Sequence, residues 1–496
     1  MNSLYYNEDC TDFFYNHVIA EGEARSTLDN YIDRIAGGGV TTFLCNTNAQ
    51  LVNYQSDVWQ PFWIDFDPDG PDDQPFLAEL HARNGAVLTA NWRRLITSML
   101  ALHQQGIDYP AHVVQRCRHH DISPWITLRM NDVHNNEETW HPIHSQFWRK
   151  NPQLYRKGYT GYFADAFDFA HAEVRDYYWQ LIEETLERYD IDGLELDFLR
   201  EPYLFSKGEE TEGRQILTSW MQEIRQRVDR QARQRGHAIQ LGIRPPSRPD
   251  VALSLGIDTV EWARRQLVDL VVVTPRWSTL EYDMPIREWR QLLDSCDVTL
   301  AGGLEILIGR HPSAPKHQVT PEEAFGAAAQ VLHDGADSVY LFNYFPSGWG
   351  HDHFQQTLQT LASPAELGKQ ARRHAVTFCD VVGPEGDQRY PAPLPASGQD
   401  LTFHLPTGST PVGWQAELHI GLEGASAMEQ AAPTASINDS EKLAATQDSV
   451  DEGIRCLIYQ FPADILDEKQ GNQIKVIASD NEPLEVVSVD IRIYPC

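Results

Sequence analysis

Two acidic residues, Glu195 and Asp197, lie two positions apart in the segment 191–199, whose other members are mostly apolar. Alternation at period two predicts a buried strand with both carboxyl groups on one face and apolar side chains on the other. Carboxylates that face a protein interior are costly unless they are paired or serve a function. The segment therefore predicts chemistry that uses two acidic groups.

Polar residues end or follow the other predicted strands as well. They are Asn48 for the second strand, Arg129, Asn131, Asp132 and His134 for the third, Arg200 after the fourth, Arg244 for the fifth, Arg276 and Trp277 for the sixth, Glu305 for the seventh, and Asn343 and Tyr344 for the eighth. The carboxyl ends of the strands form the catalytic face of a (β/α)8 barrel. We therefore expect these residues to line one substrate-binding cleft.

Eight short apolar runs alternate with amphipathic helical runs up to about residue 372. The predicted strands cover residues 4–6, 40–45, 124–130, 191–199, 239–244, 268–274, 298–303 and 338–344. Eight units, with no Gly-rich phosphate loop after the first strand, favour a closed barrel over an open sheet. The predicted fold class is α/β, a (β/α)8 TIM barrel.

Helical periodicity disappears after residue 375 and alternating strands replace it. We predict the barrel over residues 1–372, a Pro- and Gly-rich linker over 373–399, and an all-β sandwich domain over 400–496. Within that domain, residues 424–453 are rich in small and charged side chains, which is typical of a long mobile loop.

Paired carboxyl groups on different strands suit the cleavage of a glycosidic bond, in which one acid protonates the leaving oxygen and the other attacks the sugar or activates water. Asp197 and Glu305 are the predicted pair, with Glu195 as a supporting group that orients Asp197 or raises its pKa. Two simpler interpretations stay open. Asp197 forms a structural salt bridge to Arg200 or Arg129, or Glu305 is merely solvated.

Four arginines stand at the predicted strand ends, namely Arg129, Arg200, Arg244 and Arg276. Arginine binds carboxylate or sulfate through two parallel hydrogen bonds, so a uronic or sulfated sugar is the expected substrate. The alternative is that these arginines only hold the catalytic acids and loops. Trp277 and Tyr344 are candidate platforms for stacking on sugar rings.

The chain has 496 residues, 71 of them acidic and 40 basic, with a formal net charge of −31. This charge disfavours nucleic acid as a partner. The sequence shows no export signal and no apolar run long enough to span a membrane, which predicts a cytoplasmic protein unless a leader has been removed. The oligomeric state, including a homo-oligomer, is left open. Seven scattered cysteines predict reduced thiols without disulfides.

Two histidine pairs, His141 with His144 and His351 with His353, have spacings that resemble metal ligands. Metal-dependent barrel hydrolases typically carry a His-x-His pair on the first strand, whereas this chain has Tyr5 and Tyr6 there. We therefore predict no metal and no cofactor.

The run 192–202, DGLELDFLREP, and the run 335–344, GADSVYLFNY, resemble the fourth and last strands of glycosyl hydrolase-like barrels found as uncharacterised bacterial proteins with a C-terminal β-sandwich. Barrels similar to the large retaining clan place a nucleophilic Glu after strand seven, which corresponds to Glu305. Barrels that resemble α-galactosidases or fucosidases use an Asp on strand four, which corresponds to Asp197. The resemblance implies a glycosidase and leaves the nucleophile open.

The sequence therefore predicts a glycoside hydrolase that cleaves an O-glycosidic bond in an oligo- or polysaccharide, with anionic sugar units as the expected substrate class. Two alternatives remain. One is a carbohydrate-binding barrel without catalytic activity, since fold alone does not decide function. The other is a metal-dependent hydrolase that uses the histidines and Asp132.

Overall fold

The computed structural model describes residues 3–132, 134–346, 351–384, 392–424, 430–480 and 482–496. Eight parallel strands close into a barrel: β1 (Ser3–Glu8), β2 (Thr42–Asn46), β3 (Ser123–Arg129), β4 (Gly193–Asp197), β5 (Gln240–Arg244), β6 (Leu270–Val273), β7 (Thr299–Glu305) and β8 (Ser338–Phe342). Their order around the barrel is β1-β8-β7-β6-β5-β4-β3-β2. The predicted (β/α)8 barrel is confirmed.

Helices connect the strands and cover the barrel. They are α1 (Asp12–Asn16), α2 (Ala24–Ala36), α3 (Pro75–Gln104, with a break at Gly85), α4 (Tyr109–His119), α5 (Gln146–Lys150), α6 (Ala172–Arg188), α7 (Glu210–Arg235), α8 (Pro249–Ser254), α9 (Thr259–Arg264), α10 (Ile286–Leu292), α11 (Pro321–His333), α12 (His351–Leu361) and α13 (Pro364–Leu367). Helix α11 begins with a capping box, because Thr320 and Glu323 satisfy each other's backbone N–H groups.

Large side chains fill the lower interior of the barrel and depend on glycines in neighbouring strands. The indole of Trp125 on β3 lies where a Cβ atom on Gly193 would be, at 2.1 Å. Gly242 on β5 faces the other side of the same ring at 3.0 Å. Glycine is therefore required in β4 because the ring occupies the space beside its backbone.

Strand register places charged residues in one row at the carboxyl end of the barrel. Arg129 on β3 is paired with Asp197 on β4, and Asp197 is paired with Arg244 on β5. One pleat lower, Glu195 is paired with Thr127. Since side chains two residues apart share a face, Glu195 and Asp197 both point into the barrel, as predicted.

The C-terminal part is an all-β domain of two antiparallel sheets. Its strands are β9 (Arg372–Ala375), β10 (Ala396–Gly398), β11 (Asp400–Leu405), β12 (Gln415–Leu422), β13 (Thr434–Ile437), β14 (Gln447–Asp451), β15 (Ile454–Pro462), β16 (Asn472–Ile477) and β17 (Leu484–Tyr494). The larger sheet has the order β9-β17-β12-β15-β14, with β10 also paired to β17, and the smaller has the order β11-β16-β13. Alternate residues of the long strands are buried, as in a sandwich.

The structure differs from the sequence prediction within two of the segments expected to be irregular. Strands β9 and β10 overlap the predicted linker, 373–399, and both pair with β17. Strands β13 and β14 lie inside 424–453, where a mobile loop was expected. The sequence of an exposed polar strand such as β14 does not alternate between apolar and polar residues. Such a strand is held by backbone pairing with its neighbour and not by the burial of one face.

The two parts of the chain pack against each other through helix α11. Arg492 on β17 donates two hydrogen bonds of 2.8 Å to Glu322 at the start of α11. Gly326 in the middle of the helix lies against the backbone of Arg373, since a Cβ atom there would be 2.1 Å from the Arg373 carbonyl oxygen. Helix α11 therefore contacts both the barrel and the C-terminal sheet.

None of the seven cysteines forms a disulfide bond in the structure, and four of them are buried. Over the residues that the structure describes, none of the helices combines the length and apolar character needed to cross a membrane.

Candidate active site

Asp197 is held rigidly at the end of β4. Its carboxylate accepts two hydrogen bonds from the Arg244 guanidinium, from Nε at 2.9 Å and from Nη2 at 2.7 Å. One carboxylate oxygen also accepts the backbone N–H groups of Leu199 and Arg200, both at 3.0 Å. These contacts fix the orientation of the Asp197 side chain, which is only 1% exposed.

Glu305 ends β7 in a different electrostatic environment. One carboxyl oxygen accepts the Ile306 N–H at 3.0 Å, while the other oxygen, Oε2, is buried without a described hydrogen-bond partner. Burial raises the pKa of Glu305 to about 8, although Arg200 and Arg244 act in the opposite direction. The side chain is therefore protonated at neutral pH and lines a cavity of about 230 Å³.

Glu195 lies below Asp197, inside the barrel. Its carboxyl group accepts hydrogen bonds from Thr127 and from the Tyr340 hydroxyl, the latter at 2.9 Å. Burial, followed by the charge of Asp197, raises the pKa of Glu195 to about 7. Glu195 is fully buried and does not line the cavity, which is consistent with a supporting position.

Arg200 connects the neighbourhoods of the two predicted catalytic acids. Its backbone N–H binds Asp197, and its side chain lines the same cavity as Glu305. The charges of Arg200 and of Arg244, the partner of Asp197, both lower the pKa of Glu305. Strands β4 and β7 are separated in the barrel by β5 and β6. Glu305 lines the cavity, whereas Asp197 is buried behind Arg200 and is not among the lining residues.

A charged cluster occupies the end of β3. Arg129 binds Asp9, the residue after β1, and also Asp132, the latter at 3.3 Å. Asp132 accepts a 2.8 Å hydrogen bond from Nδ1 of His134, and Nε2 of His134 lies 2.6 Å from the Arg200 guanidinium. Three predicted site residues and Arg200 thus form a continuous network beside the cavity.

Asn48 and Asn131 are also placed near the strand ends, but their amides bind protein backbone. Asn48 bonds the N–H and the carbonyl of Arg129, at 3.0 Å each. Asn131 bonds the N–H of Phe167 at 3.1 Å and its carbonyl at 2.9 Å. Each amide fixes a loop at the mouth.

Arg276 and Trp277 follow β6. Trp277 lines the cavity and its indole N–H has no described hydrogen-bond partner. The Arg276 guanidinium lies 3.9 Å from Glu201 and 4.7 Å from the Phe163 ring centroid. The ring of Trp277 has Nζ of Lys316 at 4.6 Å and the Arg276 guanidinium at 6.0 Å from its centroid.

Asn343 and Tyr344 follow β8. Asn343 lines the cavity and adopts a left-handed backbone conformation with φ 60°. Such strain in a non-glycine residue is concentrated at functional sites. Tyr344 is buried, and its carbonyl accepts the Tyr6 hydroxyl at 2.8 Å.

Three contributors to the site carry no clear sequence signal. A hairpin of Leu307–Ile308 and His317–Gln318 adds Leu307 and Gln318 to the cavity wall. Asp380, from the segment after β9, accepts the backbone N–H groups of Arg276, Trp277 and Ser278. Asp380 is 104 residues along the chain from Arg276, and only the folded arrangement brings the two together.

Of the two histidine pairs considered as metal ligands, the described pair, His141 with His144, belongs to no group of ligands. The rings of His141 and His144 are 5.9 Å apart between centroids, and burial lowers their pKa values to about 3 and about 4. The side chain of His351 lies outside the described residues. Among those described, no group of three or more His, Cys, Asp or Glu side chains is arranged to hold a metal ion.

The sequence matches no protein-family profile and no curated protein. Its fold is similar to several solved structures of low identity. A maltogenic alpha-amylase from Thermotoga neapolitana has 11% identity and a TM-score of 0.38, with 98% of each chain covered. The alpha-L-fucosidase isoenzyme 1 from Paenibacillus thiaminolyticus has 11% identity and a TM-score of 0.34, with 96% of each chain covered.

A chitinase from Chromobacterium violaceum has 11% identity and a TM-score of 0.32, covering 78% of this chain and 77% of its own. Likenesses this distant do not bear on the activity of this chain, which has to be inferred from its own site.

Proposed function

We propose that the protein is a glycoside hydrolase that cleaves an O-glycosidic bond in an oligo- or polysaccharide, with Glu305 as the acid and Asp197 as the nucleophile or base. The observation that supports this most directly is the difference between two carboxyl groups at one barrel mouth. Burial raises the pKa of Glu305 to about 8, whereas both oxygens of the Asp197 carboxyl group accept hydrogen bonds from the Arg244 guanidinium. Glycosidases require this division, because one group donates a proton while the other attacks or activates water.

The cavity beside Glu305 has the composition of a sugar site. Trp277 supplies an aromatic face, and Asn343 and Gln318 supply amides. Glu305, Trp277 and Asn343 each have a buried polar atom without a described hydrogen-bond partner. Since unsatisfied buried polar groups are costly, a ligand with several hydroxyl groups would satisfy them on binding.

The proposed substrate carries a carboxylate or sulfate group near the scissile bond. Arg200 supports this part of the proposal, because it lines the cavity and its Nε group is buried without a described partner. An anionic substituent would provide the missing acceptor with a charge-assisted hydrogen bond. No cofactor takes part in the proposed reaction.

The test is a hydrolysis screen of neutral, uronic and sulfated oligosaccharides and aryl glycosides, with products identified by mass. Asp197→Asn and Glu305→Gln should each lower kcat by about a thousandfold or more, a loss typical of removing a catalytic group. Circular dichroism checks that both variants fold. Proton NMR of the first product anomer then distinguishes retention from inversion.

Glu281→Gln is the matched control. Glu281 is also buried with a pKa raised to about 8 by burial, but it binds Ser247 and does not line the cavity. This variant should keep wild-type turnover. Near-normal rates in Asp197→Asn or Glu305→Gln would overturn the assignment, and binding without products in the wild type would favour a non-catalytic carbohydrate-binding barrel. Loss of activity on chelation would favour the metal-dependent alternative.

A further inference from the structure

The four arginines at the barrel mouth differ in how they are paired. Arg129 binds Asp9 and Asp132, Arg244 binds Asp197, and Arg276 lies near Glu201. Arg200 forms no ion pair with any carboxylate in the described part of the chain. Among the described residues, its guanidinium hydrogen-bonds to His134, through a 2.6 Å contact with Nε2, and lies 6.0 Å from the centroid of the Phe342 ring. Its Nε has no hydrogen-bond partner there.

The contact with His134 fixes the protonation of that imidazole. A guanidinium has donors and no acceptors, so Nε2 of His134 must accept the hydrogen bond and carry no hydrogen. The hydrogen is then on Nδ1, which lies 2.8 Å from a carboxylate oxygen of Asp132. The same oxygen accepts the backbone N–H of His134 at 2.9 Å. Asp132 thus orients a neutral imidazole whose free nitrogen faces Arg200.

The electrostatics of these residues agree with this arrangement. Burial lowers the pKa of His134 below its ordinary value, so the ring is neutral at pH 7. Burial opposes the ionisation of Asp132, but His134 and Arg129 outweigh that effect and bring its pKa well below its ordinary value. A carboxylate, a neutral imidazole and a cation therefore follow one another toward the cavity.

We propose that Asp132 and His134 form a positioning relay that holds Arg200 as the anion-binding group of the cavity. His134 is a positioning residue because it acts through Arg200 rather than on the sugar. The relay leaves the Nε edge of Arg200 free, since only the Nη2 group is used by His134. This inference rests on the proposed function for its ligand class, an anionic sugar, and adds the residues that make the cavity selective for it.

Direct binding by calorimetry tests the relay without requiring turnover. The probes are sodium sulfate and sodium D-glucuronate, with D-glucose as the neutral reference, at pH 7 and low ionic strength. Arg200→Gln and His134→Leu should each weaken sulfate and glucuronate binding by about tenfold, the effect of one charge-assisted hydrogen bond. Any affinity for D-glucose should stay unchanged in both variants.

His134→Gln is the conservative variant, since its amide oxygen can accept from Arg200 near the position of Nε2. It should recover most of the anion affinity lost in His134→Leu. His237→Leu is the matched control, because His237 forms a similar 2.8 Å pair with Asp190 on the surface, and it should bind all three probes like the wild type.

Three results would overturn the relay: no binding of either anion by the wild type, wild-type anion affinity in His134→Leu, or a His134→Gln variant no better than His134→Leu. Failure of the glycosidase proposal is separable, because it would appear as anion binding with no hydrolysis of any substrate. Hydrolysis without a preference for anionic substrates would support the glycosidase proposal and contradict the relay.

Discussion

Opposing effects act on the Glu305 carboxyl group. Burial favours its neutral form, whereas the nearby charges of Arg200 and Arg244 favour the ionised form. Burial is the larger effect, which keeps the proton on Glu305 over the neutral range. This balance sets the pH range in which Glu305 can donate a proton.

The pH dependence of kcat/KM should follow this balance. Activity on a substrate with a poor leaving group should fall about tenfold per pH unit above about pH 8, because Glu305 loses its proton there. Arg200→Gln should move this alkaline limb to higher pH, since a positive charge that lowers the pKa of Glu305 is removed. Steady-state rates on a neutral aryl glycoside from pH 5 to 10 measure both effects.

A dinitrophenyl glycoside is the control substrate for that profile, because its leaving group needs little protonation. For this substrate, kcat/KM should fall less steeply at alkaline pH than for the substrate with the poor leaving group. Equal limbs on the two substrates, or an Arg200→Gln limb displaced to lower pH, would contradict the assignment of Glu305 as the acid.

At the scale of single elements, β7 depends on two consecutive glycines that face opposite sides. Gly302 packs against Val331 of α11, where an added Cβ atom would be 2.5 Å from the Val331 Cβ. Gly303 faces the barrel interior and lies against Thr274, where the corresponding distance is 2.2 Å. The strand that delivers Glu305 is thus packed closely on both faces.

Gly303→Ala should therefore displace β7, lower the free energy of unfolding by about 1–3 kcal/mol and reduce turnover. Adding Thr274→Gly should restore part of both losses by vacating the clashing position. Urea unfolding and kcat measure the effects. Gly309→Ala, whose added Cβ atom would keep an ordinary 3.4 Å contact, is the control and should change stability little; a Gly303→Ala variant as stable as this control would contradict the packing argument.

The sequence predicts the barrel elements well because their periodicity reflects burial. All eight predicted strands overlap the observed ones, and the alternation in β4 correctly places Glu195 and Asp197 on one face. Polar residues at strand ends are brought to a common mouth by the parallel topology itself. Local pattern and global fold agree in these segments.

Partners within the site are less predictable, since they depend on distances between strands. The pairing of Asp197 with Arg244 follows from register between β4 and β5, whereas the sequence suggested Arg200 or Arg129. The backbone role of Asn131 depends on a loop near Phe167. Such tertiary contacts decide whether an amide or an arginine at a strand end is free to bind a ligand.

At the scale of the whole molecule, several buried carboxyl groups hold protons at neutral pH. Burial raises the pKa of Asp12 and Glu195 to about 7, and of Glu281 and Glu305 to about 8. In the unfolded chain these groups return to ordinary values. Below about pH 6.5 the buried His141 and His144 act in the opposite direction, because they stay neutral in the native state and bind protons in the unfolded chain. Between about pH 6.5 and 8 the native state therefore binds more protons than the unfolded state.

The free energy of unfolding should consequently decrease as pH rises across that window. Groups with lowered values, such as Glu323 at about 2, contribute stability that is lost only in strong acid. Urea denaturation at pH 6.5 and pH 8 measures the slope, and Glu281→Gln should flatten it because its amide does not titrate in this range. Stability that increases from pH 6.5 to 8 would show that these carboxyl groups are ionised in the native state.

The pairing of strand β17 determines how the protein can be divided into fragments. It pairs with β9, which is joined directly to the barrel side of the chain, and with β10 on the far side of residues 385–391. A single backbone cleavage between β9 and β10 would leave one fragment holding β9 and the other holding its hydrogen-bonded partner. The two pieces would therefore stay together as one particle, and the natural unit for expression, truncation or reassembly from fragments is the barrel with its C-terminal sheets.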